Sequence, residues 1–175
     1  MFKEERTESK FNWNMLGNIQ DGRPNLGSSM DVSVYRLMQF TLRDIIIKEF
    51  DVATANKIYY QAGKRAGEAL YENAITKKDN INEFIVELQD VLAQLKIGIL
   101  RVEKADLEKL NFTITISEDL DCSGLPICDE EICVYDEGFI DGLLSAITGK
   151  KFKVKEVDCW CSGDRICRFE ATVIK

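Results

Sequence analysis

EICVYDEGFIDGLLSAITGKKFKVKEVDCWCSGDRICRF, residues 131–169, is the stretch from which the rest of this chain is read. A thiol, Cys133, leads into a helical run from about Val134 to Thr148 that carries Gly138 and Gly142 on one face and stops at Gly149, a good C-terminal glycine. A strand follows, and KFKVKEVDCWC and ICRFEATVI close as a hairpin around SGDR. Soft ligands at both ends of one foldable unit are the layout of a metal staple. A three-residue loop at Ser162–Asp164 sets Cys159 and Cys167 opposite each other, and a two-residue loop sets them diagonally. Cys133 joins them if its helix packs back on the sheet, and the thiolates then share an ion at about 2.3 Å each for zinc. A fourth ligand is required, and Glu156, Cys122, Cys128 and Cys161 are the candidates. Strict alternation puts Glu156 and Cys159 on opposite strand faces, so using both needs a bulge between them. The competing reading is a set of buried free cysteines acting as small hydrophobes.

Upstream the pattern is helical. SVYRLMQFTLRDIIIKEF, from Ser33, repeats apolar residues at three and four with Asp31 or Ser33 as its cap. A second helix runs from Val52 to Ile75 with Asp51 as cap, and carries Gly63 and Gly67 four apart. Each glycine costs a helix about 1 kcal/mol against alanine, so the pair signals close backbone packing or room for a ligand, close packing being favoured. A third helix, NINEFIVELQDVLAQLKI, follows the break at Lys77–Asn80. The period then changes: GILRVEKAD and LNFTITISEDL alternate as strands do, and LDCSGLPICDEEIC is a turn-rich connector. Helices first and an antiparallel sheet later make an α+β fold. The expected organisation is an N-terminal arm over residues 1–30 and a single domain over 31–175. Trp13, Met15, Leu16 and Ile19 form an apolar patch on the arm, placed to dock on the body or on a second subunit.

Composition limits the function. The chain has 175 residues, a net charge of −7, six cysteines and no histidine. Acidity argues against a nucleic-acid backbone as the main partner. The run Lys150, Lys151, Lys153, Lys155 reads as a solvated strand face. The first residues lack the apolar core of a signal peptide, and no window has the apolar length of a membrane span. A cytoplasmic location is therefore expected, where cysteines point to metal or redox chemistry before disulfides. Without histidine there is no Ser-His-Asp triad, no Cys-His pair and no imidazole ligand, and hydrolytic catalysis is disfavoured.

The C-terminal stretch resembles the 4-vinyl reductase domain family, which includes the sensory domains of phenol- and xylene-responsive transcription activators. The residues that carry the resemblance are Cys133, Gly138–Gly142 (GFIDG), Thr148–Cys159 (TGKKFKVKEVDC) and Gly163–Phe169 (GDRICRF). IYYQAGKRAGEAL and GRPNLGSSMDVSVYRLMQF extend it more weakly. Metal ligation in the aromatic sensors maps onto Cys133, Glu156, Cys159 and Cys167 with intervals intact, so the resemblance implies zinc and selects Glu156 as fourth ligand, with Cys122 the main competitor. It also implies a twisted antiparallel sheet covered by helices, as in haem nitric-oxide-binding domains and vesicle-tethering complex subunits, and a homodimer. The histidine that holds the sensors' ligand is missing here, so phenol recognition does not transfer and no haem is implied.

Three functions follow from this reading. The leading one is a zinc-containing module that binds or senses an apolar or aromatic small molecule, with Tyr59, Tyr60, Phe139 and Trp160 as lining residues. The second is a dimeric interaction or scaffold protein. The third is a reductase subunit acting on a tetrapyrrole vinyl group, which lacks a G-x-G-x-x-G after a strand, since GKRAG and GFIDG both lie within helices.

Overall fold

Short polar side chains start the three long N-terminal helices. Asp31 accepts from Ser33 N (2.8 Å), Asp51 from Thr54 N (2.6 Å) and Asn80 from Asn82 N (2.8 Å), each satisfying an amide that the helix leaves without a partner. The computed structural model describes residues 8, 11–128, 130 and 132–174. Within it a 3-10 turn at Trp13–Leu16 and a short helix α1 (Ile19–Gly22) precede α2 (Val32–Glu49), α3 (Val52–Ala74) and α4 (Ile81–Gln94). Strands β1 (Ile99–Asp106) and β2 (Asn111–Ser117) follow, then α5 (Val134–Thr148), β3 (Phe152–Asp158) and β4 (Cys167–Val173). The sheet is antiparallel in the order β1-β2-β4-β3. The α+β architecture expected from the sequence is the one observed.

Alternation in the strands decides which face is covered. Phe112, Ile114 and Ile116 of β2, Phe152 and Val154 of β3, and Phe169 and Ala171 of β4 enter the core, where Ile140, Leu143 and Leu144 of α5 and Phe84, Leu88 and Leu92 of α4 meet them. Lys153 and Lys155 take the alternate positions on β3 and are exposed, as a solvated strand face requires.

Helix α3 lies on α5 backbone to backbone. A Cβ on Gly63 would strike Tyr135 O, and one on Gly67 would strike Phe139 O. From the other side a Cβ on Gly138 or Gly142 would strike Tyr60 O or Lys64 O. All four glycines are therefore explained by close packing, and the space between these helices is filled by backbone. The crossing is locked by a buried carboxylate: Asp141 accepts from Lys64 Nζ (2.8 Å), Tyr60 OH (2.9 Å) and Ser145 Oγ (2.7 Å). Among the described residues no helix is long and apolar enough to cross a membrane.

Candidate metal centre

Four chain segments each deliver one thiol to a single point. Cys122 sits in the turn after β2, whose shape is fixed by Asp119 Oδ1 accepting from Asp121 N (2.8 Å) and Cys122 N (3.1 Å). Cys133 caps the start of α5. Cys159 follows β3, and Cys167 opens β4 opposite Ile116. All four are buried, and their sulfurs lie within 4.8 Å of one another. The Sγ–Sγ distances are 3.7 Å for Cys133–Cys159, 3.8 Å for Cys133–Cys167 and 3.0 Å for Cys122–Cys167. Tetrahedral zinc with bonds of about 2.3 Å needs sulfurs roughly 3.8 Å apart. Two of the edges already have that length, and Cys122 has to open away from Cys167 to complete the figure. The donor set therefore fits a tetrahedral soft-metal site.

The thiols perturb one another as crowded soft donors do. Cys133 is pushed up by its contacts with the Cys122, Cys159 and Cys167 thiols and by burial, whereas contacts with those neighbours pull Cys159 down. Cys161 N also donates to Cys159 Sγ (3.4 Å), a backbone bond of the kind that supports a metal-bound thiolate.

A bulge interrupts β3 between Glu156 and Asp158, the break in alternation needed to bring Glu156 and Cys159 to one side. Glu156 reaches the cluster. Burial, with the charge of Cys159 adding to it, pushes its carboxyl up to about 8, while a hydrogen bond with Cys133 opposes the shift. Its Oε1 is buried without a hydrogen-bond partner. Yet the group of four donors within 4.8 Å is closed by Cys122. Cys128 and Cys161 stand aside, joined through Cys128 N donating to Cys161 O (2.9 Å). The β3–β4 connection is longer than the expected two or three residues: it runs from Cys159 to Ile166 and contains a 3-10 turn at Trp160–Ser162. The Cys159 carbonyl causes this by collecting Ser162 N (3.1 Å), Ser162 Oγ (2.8 Å) and Asp164 N (3.1 Å).

Three carboxyls invisible to sequence reasoning lie beside the thiols. Asp119, Asp121 and Asp136 are all buried, and Asp119 is pushed up to about 7 by burial and by the charge of Asp121. Asp121 receives Tyr35 OH (2.8 Å) and Gln39 Nε2 (2.9 Å) from α2. The sequence signal for Asp119 and Asp121 is the pair of acids flanking Leu120 just before Cys122, which has no spacing rule attached to it.

The four aromatic residues expected to line a ligand stand at separate places. Tyr59 donates to Gln39 O of α2, with Arg43 over its ring at 5.7 Å. Tyr60 serves Asp141, Phe139 lies in the α3–α5 crossing, and Trp160 donates to Leu125 O (3.0 Å) beside the cysteines. A groove of ≈ 700 Å³ opens between α2 and α3, walled by Phe40, Ile47, Val52 and Ile132 together with the polar Arg43, Asp44, Asn56 and Glu130, and Ile132 adjoins Cys133. An apolar seam between α4, α5 and the sheet is closed, with ≈ 20 Å³ free.

Comparison with known proteins agrees with this architecture. Residues 112–173 match the model of the 4-vinyl reductase domain, which bears out the family resemblance over those residues. The uncharacterized protein MJ1642 of Methanocaldococcus jannaschii is 26% identical over 149 residues, 85% of this chain and 81% of that one. The phenol-responsive sensory domain of the transcription activator PoxR, crystallised with phenol, superposes with a TM-score of 0.67 at 15% identity, covering 82% of this chain and 75% of that one. A vinyl-4-reductase family protein from Methanocaldococcus jannaschii gives 0.61 at 19% identity, over 96% and 100%. The fold extends to a trafficking protein particle complex subunit 3 from Naegleria fowleri (TM-score 0.64, 12% identity, 82% and 95%) and to an H-NOX protein from S. oneidensis (0.54, 13%, 85% and 78%).

Proposed function

We propose that this chain, whose residues 112–173 match the 4-vinyl reductase domain, binds an apolar or aromatic small molecule on a scaffold stapled by a structural metal ion. Zinc is the ion that suits the donors. Cys133, Cys159 and Cys167 hold it, with Cys122 completing the set in place of Glu156, which stays as a buried neighbour of the sulfurs. Bound there, zinc supplies a cross-link between the β2 turn, α5 and the β3–β4 hairpin, and four thiolates leave it no open position for catalysis. A reducing cytoplasm is the compartment that keeps these thiols available.

The observation that carries the binding reading is the groove beside Ile132. Its ≈ 700 Å³ falls in the usual range for small-molecule sites, and its walls combine Phe40, Ile47, Val52 and Ile132 with the hydrogen-bonded pair Arg43 and Asn56 (2.7 Å) and the carboxylates of Asp44 and Glu130 at the rim. The relation to a phenol-responsive domain supports the ligand class. The closed seam under α4 is far smaller than the roughly 150 Å³ that holds benzene. The test is native mass spectrometry and thermal shift with phenol, toluene and longer alkyl probes, on wild type and on Ile47→Trp, which fills the groove. Binding that Ile47→Trp abolishes supports the reading; no probe bound by either protein sinks it. A second reading, a homodimer, is favoured by the exposed apolar residues of α2.

A further inference from the structure

Cys122, Cys133, Cys159 and Cys167 make the centre, and the two remaining cysteines, Cys128 and Cys161, lie side by side outside it. Cys161 is 1% exposed, in the 3-10 turn Trp160–Ser162, whereas Cys128 is half-buried in the connector that precedes α5. Three contacts hold that connector on the turn in one register. Cys128 N donates to Cys161 O (2.9 Å), Trp160 Nε1 donates to Leu125 O (3.0 Å), and Ile127 Cδ1 lies 3.9 Å from the place of a Cβ on Gly163. A backbone bond of this length sets two Cα atoms about 5–6 Å apart, inside the span of roughly 4.4–6.8 Å that a disulfide bridges. The sulfurs face each other as well, since the Cys128 thiol is a hydrogen-bonding neighbour of the Cys161 thiol. Rotation of two side chains is what remains to join them.

The pair is asymmetric in the way that controlled thiol oxidation requires. Cys128 is open to a small solute, and Cys161 stands behind it, shielded. Peroxide oxidises a thiol that solvent reaches, and a second thiol within reach stops the oxidation at a disulfide instead of an irreversible acid. In the zinc-loaded chain the other four sulfurs are engaged by the ion, which leaves these two as the free thiols.

We propose that Cys128 and Cys161 are a reversible redox pair, oxidised to a disulfide by hydrogen peroxide, and that the bond latches the Cys122–Cys128 connector onto the hairpin turn. The Cys128 thiolate attacks one peroxide oxygen, the O–O bond breaks, hydroxide leaves, and Cys128 becomes a sulfenic acid. The Cys161 sulfur then attacks the Cys128 sulfur and the S–O bond breaks. The Cys161 proton leaves with the hydroxyl group as water. Two thiols and one peroxide thus give one disulfide and two waters, with two electrons passing from the sulfurs to the peroxide oxygens. A dithiol reductant reverses the bond by exchange. The closed loop encloses α5 and β3. Cys161 N donates to Cys159 Sγ (3.4 Å), so a bond that fixes Cys161 keeps this support of the centre in place. The inference rests on the metal reading in one respect: it takes the other four thiols as engaged.

The test treats the zinc-loaded chain with a few equivalents of hydrogen peroxide and maps its peptides by mass spectrometry after non-reducing digestion. The expected product is a linked Cys128–Cys161 peptide lighter by two hydrogens, reversed by dithiothreitol, with zinc retained and Tm raised by about 5–10 °C. Cys161→Ala should leave Cys128 as a sulfenic acid that dimedone labels. Cys128→Ser, a change at a half-buried position that spares the core, should leave Cys161 unoxidised at the same dose. Two thiols that stay free under peroxide overturn the pair, and so does a bond from Cys161 to Cys159 with loss of zinc, or one between the Cys128 residues of two chains. A Cys128–Cys161 bond that leaves Tm unchanged overturns the latch while leaving the site. A chain that takes up no zinc overturns the metal reading, and the pair then stands only if the Cys128–Cys161 link still forms ahead of links among the other four cysteines.

Discussion

Gly67→Ala sets two physical effects against each other. In an isolated helix alanine is better than glycine by about 1 kcal/mol, so propensity alone makes the variant more stable. In this fold the new Cβ would overlap Phe139 O and stand 3.0 Å from Leu143 N, both backbone atoms of α5 that no rotamer change can move aside. The helices must separate, which disturbs the neighbouring Gly63 and Gly142 contacts and stretches the Asp141 lock to Tyr60 and Lys64. Overpacking of this kind costs about 1–3 kcal/mol in ordinary cores and more where backbone is the obstacle. Offsetting the propensity gain leaves a net loss of about 2 kcal/mol, a fall in Tm of roughly 4–8 °C for a chain of this size. Gly22→Ala is the control, because nothing lies within 4 Å of its added Cβ; it should be neutral or slightly stabilising. Urea unfolding at constant metal load measures both. A Gly67→Ala chain stabilised by about 1 kcal/mol, as propensity alone dictates, would refute the close crossing.

Two further outcomes follow from the same structure. Asp141→Ala strands Tyr60 OH, Ser145 Oγ and the partly exposed Lys64, and should cost about 2–3 kcal/mol by chemical denaturation, with Asp141→Asn losing less. Glu87 is held below its ordinary value of 4.5 by hydrogen bonds from Lys77 N and Thr76 at the α3–α4 connection. A lowered folded-state value means stability that is present above 4.5 and lost as pH falls through the folded value, so Glu87→Gln should flatten that part of the acid limb in urea midpoints measured from pH 3 to 6.

What the sequence discloses is mostly what depends on near neighbours. The caps Asp31 and Asp51, the stop at Gly149 and the alternation of β1 to β4 are local matters, and all are where the pattern puts them. The demand for a bulge after Glu156 was also legible, because it follows from the period of a strand. The position of Cys122 was not: it depends on β2 lying next to β4, so that Ile116 pairs with Cys167, and nothing in DCSG records that adjacency. SGDR reads as a tight turn, whereas the Cys159 carbonyl winds a 3-10 turn and lengthens the hairpin connection. The direction of α2 was hidden for a related reason. Its period is plain, but which face points inward is decided by Asp121, 82 residues away from Gln39. Aromatic residue type alone does not say that Tyr60 is engaged by Asp141 or Trp160 by Leu125.

X-ray absorption at the metal edge, on protein purified with zinc and without strong chelators, tests the centre most directly. The account predicts one zinc per chain with four sulfur neighbours at about 2.3 Å. A first shell of three sulfurs and one oxygen would return the fourth position to Glu156, and protein that holds no metal at all would contradict the centre itself.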